Sequence, residues 1–286
     1  MKIVEPKVEL LSEIGISPES HIARCARVCY GKEYKEPNQE TDEKMVEGLI
    51  KRRHLSMLRH ASVYISHLEE ILPYLEKHIA NSPYWNYNMY LRYASTNLQE
   101  FMQSKTDRAP VTDISNKQFL EECSKHLDLF NLYRLTFCIT TQISTSRELN
   151  RVSPNNIAER STRYCSSKDG LEICRPWWLK NSQEHYSNRN LSPNEYWYFY
   201  TLSNIELAYK TLLNNGMKPE DARGILPLDT ATKVIYTYNV QEWQHILDLR
   251  YYEITGKPHP NAKLIAGKIR DEINKFAIEH GINYKV

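Results

Sequence analysis

The sequence predicts a mixed α+β chain, and three observations carry that reading. Alternation of apolar and polar residues in ASVYISHL and ATKVIYTYNV marks half-buried strands. A third run, LTFCITTQIS, is rich in β-formers and reads as the strand that delivers the chain to its most polar segment. Against these stand runs with apolar residues spaced at three and four, of which NAKLIAGKIRDEINKFAIEH is the longest and reads as an amphipathic closing helix.

In chain order, VEPKVELL reads as an opening strand, and residues 19–30 and 41–53 as helices. Residues 67–80 follow the ASVYISHL strand with helical spacing, Pro73 being tolerated only near a first turn or a kink. NMYLRYASTNLQEFMQ and NKQFLEECSKHLDLFNLY also space their apolar residues as helices do, with TDRAPVTDISN between them a loop by composition. SPNEYWYFYTLSNIELAYKTLLNNG carries every punctuation mark of a helix: Ser192 as cap, Pro193 at the first helical position, Gly216 as stop. PEDARGIL is a short helix, and QEWQHILDLRYYEIT returns to helical spacing after the ATKVIYTYNV strand.

Composition excludes several classes of function. With 286 residues and 41% hydrophobic content the chain buries a sizeable core, as one large domain or two small ones. A net charge of +2 gives no electrostatic surface for nucleic acid, so arginines concentrated near residues 151–163 read as local anion sites. The aromatic cluster YWNYNMYLRY lacks the basic stripe that would track phosphates and is better assigned to packing. Six cysteines show no CxxC pair and no dense framework, so reduced thiols are expected and neither a zinc site nor a disulfide scaffold is indicated. Cys25 and Cys29 lie four apart on a helix, a spacing that suits packing. No apolar run approaches membrane-spanning length, and MKIVEPKVEL lacks a signal-peptide core; a cytoplasmic protein is expected. Only nine glycines are present, and neither a dinucleotide-binding nor a P-loop fingerprint occurs.

The most informative stretch runs from Ser146 to Cys165, SRELNRVSPNNIAERSTRYC. Serine, threonine, asparagine and proline interrupt its charges, so no amphipathic period runs through residues 150–165 and a loop or broken helix follows. Guanidinium groups grip phosphate bidentately, while a carboxylate and a hydroxyl read neighbouring OH and NH groups. Arg151, Glu159, Ser161 and Arg163 therefore suit a nucleoside monophosphate.

Here the chain resembles the flavin-dependent thymidylate synthases, whose signature is Arg-His-Arg, seven residues, then Ser-x-Arg. The aligned residues are Arg151, Val152 and Ser153, then Ser161, Thr162 and Arg163. Other blocks follow the family in order: MKIVEPKVELL with ARCARVCYGKEY, HLSMLRHASVYI at residues 54–65, STRYCSSKDGLEICRPWWL, the run PEDARGILPLDTATKVIYTYNVQEWQHILDLR at residues 219–250, and HPNAKLIA. Only the stretch around 67–135 finds no counterpart and reads as a largely helical insertion in a single domain spanning 1–286.

The resemblance implies an α+β subunit with a mostly antiparallel sheet flanked by helices, assembled as a homotetramer whose sites draw on more than one subunit. It implies C5 methylation of deoxyuridylate (dUMP), with methylenetetrahydrofolate donating the carbon, reduced FAD the hydride, and NADPH regenerating the flavin. Residue by residue, Arg250 matches the arginine that polarises the pyrimidine, because a cation near the ring oxygen stabilises the enolate-like form that carries electron density to C5. Glu148, Arg151, Glu159, Ser161, Arg163 and Arg223 match the dUMP-binding set, which Arg250 completes, and His54, Ser56, Asn239 and His245 match flavin contacts. Cys165 beside the site has no histidine nearby in sequence to act as its base and is not assigned as a nucleophile. The departures fall on the flavin side: Val152 and Ser153 replace the histidine and second arginine, Arg59 stands where a glutamate is expected, and Gln241 where an arginine is. Two classes of function are left, an active diverged synthase, which the retained arginines favour, and a non-catalytic nucleotide-binding paralogue.

Overall fold

The computed structural model describes residues 1–12, 14–31, 36, 38–67, 81–104, 113–162, 170–180 and 191–286. Its backbone is a long antiparallel ribbon. The β-former run becomes strand β7, Arg134–Gln142, and the alternating ATKVIYTYN becomes β10, Ala231–Asn239; they pair along their full length, from Ala231 opposite Gln142 to Asn239 opposite Arg134. Strand β2, Lys7–Leu10, adds antiparallel to β7, and β8, Ile157–Glu159, adds antiparallel to β10, so the order is β2-β7-β10-β8.

Both faces of this ribbon are covered, which explains why β7 reads as nearly continuous apolar sequence. On one face Phe137, Ile139, Val234 and Tyr236 pack against Trp243 and Ile246 of helix Val240–Arg250 and against Ile265, Ile269 and Ile273 of helix Pro260–Glu279. The Trp243 indole N–H donates to the carbonyl of Leu135 at 3.1 Å, satisfying the one polar atom of a fully buried ring. On the other face Cys138 and Ile235 meet Cys25 of helix Pro18–Cys29. Burial pushes the Cys25 thiol far above its ordinary range, so it behaves as a small hydrophobe, as its spacing suggested.

A second four-stranded antiparallel sheet, in the order β4-β5-β3-β6, stands beside the first. It comprises β3 (Ser62–Ile65), β4 (Asn86–Asn88), β5 (Tyr93–Asn97) and β6 (Asp113–Ile114). This corrects the helical reading of NMYLRYASTNLQEFMQ, which holds only for Leu98–Ser104. Tyr93–Asn97 instead pairs with β3 from Asn97 opposite Ser62 to Ala94 opposite Ile65, and four of its five residues are buried. The tertiary pairing overrides a local period that half a dozen residues cannot enforce. The other helical expectation in this stretch is met by helix Asn116–Lys125 and the 3-10 turn Leu127–Leu132. The helix expected at 67–80 falls at residues 68–80, outside the described residues. Tyr64 links the two sheets: its ring stacks on Phe119 and Tyr133 at 4.3 and 5.5 Å, and its hydroxyl accepts the backbone N–H of Arg134 at 2.8 Å.

The opening strand is split by Pro6 into β1, Lys2–Val4, and β2; β1 pairs parallel with β9, Glu172–Cys174. Helix Pro193–Asn214 begins at Ser192 with a reciprocal capping box to Glu195 and ends before Gly216, whose φ of +89° is the left-handed turn a glycine makes without strain. Among the described residues no helix is long and apolar enough to cross a membrane.

Candidate functional site

Of the residues expected to bind a nucleotide, Glu148, Arg151, Glu159 and Arg250 lie at the Gln142–Ala231 end of the ribbon. Strand β7 runs directly into helix Ile143–Leu149, which ends beside the last turn of helix Val240–Arg250. Arg250, the final residue of the second helix, donates through Nε to the carbonyl of Glu148 at 2.8 Å. That carbonyl is one of the orphan acceptors every helix end leaves, so the guanidinium sits where two helix dipoles present their negative ends. Partial burial lowers the Arg250 pKa, the positive charge of Arg151 lowers it further, and the carboxylate of Glu148 opposes them. Three of the expected residues are thereby brought together. Arg151 bonds the carbonyl of Asn150 at 3.3 Å, and Arg250 bonds carbonyls only. Among the described residues, both guanidinium groups are left without a carboxylate at hydrogen-bond distance.

Glu159, the last residue of β8, is held from two sides: the hydroxyls of Ser146 and Thr232 donate to its Oε1 at 3.1 and 3.0 Å. Ser146 belongs to the same short helix as Glu148, so the acid and the arginine pair are tied to one element. That helix is fixed in turn by Tyr236 of β10, whose single hydroxyl proton is shared between the Ser146 carbonyl at 2.9 Å and Asn150 Oδ1 at 3.0 Å. Ser146, Thr232 and Tyr236 are positioning residues that the sequence reading did not single out. Nothing local marks them, since their role arises from β10 crossing beside a helix some ninety residues earlier in the chain.

Ser161 is anchored through its backbone N–H to the carbonyl of Cys29 at 3.0 Å. The Arg223 guanidinium, leaving the short helix Pro219–Ala222, donates to Thr162 Oγ1 at 3.1 Å and to the Glu220 carbonyl at 3.0 Å. A cleft lined by Arg160, Ser161, Thr162 and Thr232 has a volume of about 30 Å³, room for a water molecule. Arg163 and Cys165 lie outside the described residues.

The flavin-type residues lie elsewhere. His54 and Ser56 are exposed at the 3-10 turn Leu55–His60, and His245 is exposed on helix Val240–Arg250. Asn239 is fully buried as the N-cap of that helix, its side-chain oxygen accepting the Glu242 N–H at 2.7 Å while its Nδ2 has no partner. Eleven residues of helix separate Asn239 from Arg250, about 16 Å at 1.5 Å per residue. Val152 packs half-buried against the main core and offers no polar atom. Arg59 turns toward the stretch read as an insertion, donating through Nε to Gln99 at 2.8 Å and lying 4.9 Å above the Tyr84 ring. Its charge is therefore taken up by that stretch.

A family model described as thymidylate synthase complementing protein matches residues 84–277, and so takes in residues 84–135 of the supposed insertion. A flavin-dependent thymidylate synthase from Synechocystis sp. is 28% identical over 149 residues, which make up 50% of this chain and 69% of that protein. Another, from Halobacterium salinarum, is 45% identical over 42 residues, 15% of this chain and 17% of that protein. Among solved structures, a UMP/dUMP methylase PolB from Streptomyces cacaoi bound with 5-Br dUMP aligns over 98% of this chain and 95% of its own. The two chains share 16% identity, with a TM-score of 0.45.

Proposed function

The chain belongs to the thymidylate synthase complementing protein family, and on that premise we propose that it methylates C5 of dUMP to give thymidylate. Methylenetetrahydrofolate is the one-carbon donor, FAD the flavin and NADPH its reductant. The observation that carries this reading is Arg250 tied to the Glu148 carbonyl close to Arg151, both guanidinium groups being without a carboxylate at hydrogen-bond distance among the described residues. Like charges so placed repel, and a bound anion relieves that repulsion.

Each residue then has a role. Arg151, with Arg163 and Arg223, takes the phosphate, and Ser161 adds a hydroxyl. Glu159, oriented by Ser146 and Thr232, accepts from the nucleotide. Arg250, held by the Glu148 and Leu249 carbonyls, has its remaining N–H groups to stabilise negative charge developing on the pyrimidine. His54, Ser56 and His245 would line the flavin, and the unpartnered buried Nδ2 of Asn239 is a donor that suits one of its acceptors. When bound, the reduced flavin supplies the hydride. The distance from Asn239 to Arg250 within one chain fits an assembly, a homotetramer by family resemblance, in which sites are shared between subunits. A cytoplasmic setting belongs to the same reading.

The apolar seat of Val152 favours one alternative, nucleotide binding without catalysis, because the side chain expected to hold flavin there packs on the core instead. Incubating the protein with dUMP, methylenetetrahydrofolate, NADPH and added FAD separates the readings. Thymidylate formation dependent on added FAD is expected, since the cofactor is held by few polar partners. Tight dUMP binding with no product under any flavin supplement leaves the non-catalytic reading standing. Equal calorimetric affinity for deoxyuridine and dUMP would remove both.

A further inference from the structure

At the opposite end of the ribbon lies a cavity of about 660 Å³, within the size range of sites that enclose a small organic molecule. It is built between the two sheets, with Arg134, Thr136, His21 and His60 on its floor. Arg134 is 5% exposed; one of its guanidinium nitrogens reaches the Thr237 carbonyl at a long 3.5 Å, and its Nε has no partner. No carboxylate pairs with it among the described residues. His60 is 1% exposed: its Nδ1 meets Thr237 Oγ1 at 2.8 Å, and its Nε2 has no partner either. Thr136 completes the network, its hydroxyl 2.8 Å from Thr237 Oγ1 and 3.1 Å from His21 Nε2.

A buried guanidinium without a counter-charge is costly, and so is an orphaned buried imidazole nitrogen. Two such groups lining one cavity imply a ligand that satisfies both. The walls define its character. Helices Pro18–Cys29 and Asn116–Lys125 present their N-terminal turns to the cavity, Lys117 stands at the exposed rim with Asp113, and Val63, Leu98, Phe101 and Ile114 supply apolar surface. We propose that this cavity is a ligand site additional to the nucleotide and flavin sites of the proposed activity, taking an oxyanion, carboxylate or phosphate, borne on a compact apolar or aromatic body, with the oxyanion on Arg134 and His60. It is separate from the Arg151–Arg250 cluster: the eight residue steps of β7 alone span roughly 26 Å.

The test uses 3-phenylpropionate, phenyl phosphate and the neutral 3-phenylpropanamide, read by thermal unfolding and calorimetry on the full chain. One of the two anions is expected to bind one to one and to raise the melting temperature by roughly 5 °C at a hundredfold excess over its Kd. The amide should bind at least tenfold more weakly, and the stronger anion tells carboxylate from phosphate. Arg134→Met should abolish the anion effect while the unliganded protein melts at or above the wild-type temperature, because an uncompensated buried charge has gone. A merely structural arginine would instead lower it. Ile14→Trp, at the exposed rim, guards against a misfolded Arg134 variant and should also block the anion. Equal response to amide and anions, no response to any probe, persistence of the effect in both variants, or displacement of the anion by dUMP would each overturn the site. Because dUMP binding is measured separately on the same samples, failure here is distinct from failure of the proposed activity.

Discussion

The two ends of the β7–β10 ribbon handle positive charge in opposite ways. At the Gln142 end Arg151 is exposed and Arg250 half-exposed, and their charges are steadied by helix-end carbonyls and open to solvent. At the Arg134 end the charge is buried beside a histidine that burial pushes down to about 3, with His21, Arg134 and Arg59 adding repulsion. Water screens the first arrangement and stabilises it cheaply. The second has no such screen, so its cost falls on the stability of the fold, which a ligand of the kind proposed would relieve. The same residue type is thus exposed at one end and buried beside a cavity at the other.

Acid should expose this contrast most strongly. The folded pKa of His60 lies below its unfolded value near 6.5, so the stability it confers is present above that value and is lost as pH falls toward 3. The unfolding free energy from urea titrations at constant ionic strength should fall by up to ~1.4 kcal/mol per pH unit in that window from this residue alone. A His60→Asn variant with the same acid slope as wild type would show that the buried imidazole is not its source. Next in size is Arg250→Ala, expected to lower turnover on the order of 10²-fold or more with less effect on KM, as for loss of a group acting on developing charge. Unchanged turnover at saturating dUMP would return Arg250 to a helix-end role.

Arg151→Ala should weaken dUMP more than tenfold, on the order of 1.5 to 3 kcal/mol, without altering the acid slope. If calorimetry found dUMP affinity intact, the anion site would have to be sought at Arg163 and Arg223 instead. The smallest effect lies away from both ends. Ser192→Ala removes the capping box of helix Pro193–Asn214 and should cost ~1 kcal/mol in thermal unfolding, leaving both ligand responses untouched. A change in either response would mean the ends are coupled through that helix.

Local chemistry made much of this molecule legible in advance. Ser192, Pro193 and Gly216 bound their helix in the sequence as they do in space, because caps and left-handed turns depend on a few neighbouring residues. LTFCITTQIS and ATKVIYTYNV are strands in both descriptions, since β-branched and aromatic side chains suit a pleated surface whatever the partner. The segment following Ser146 announced arginines and acids in its own chemistry; that Arg250, 102 residues on, bonds the Glu148 carbonyl is a tertiary matter.

What tertiary structure alone decided depends on pairings across long stretches of chain. Tyr93–Asn97 carries a helical period and still becomes a strand, because burial against β3 outweighs a weak local preference. His60 meets Thr237 across 177 residues, and Arg134 gives no sign in sequence that its guanidinium ends in a cavity floored by that histidine. Propensity and periodicity act over a few residues, whereas the cost of a buried charge is set by every element that closes over it.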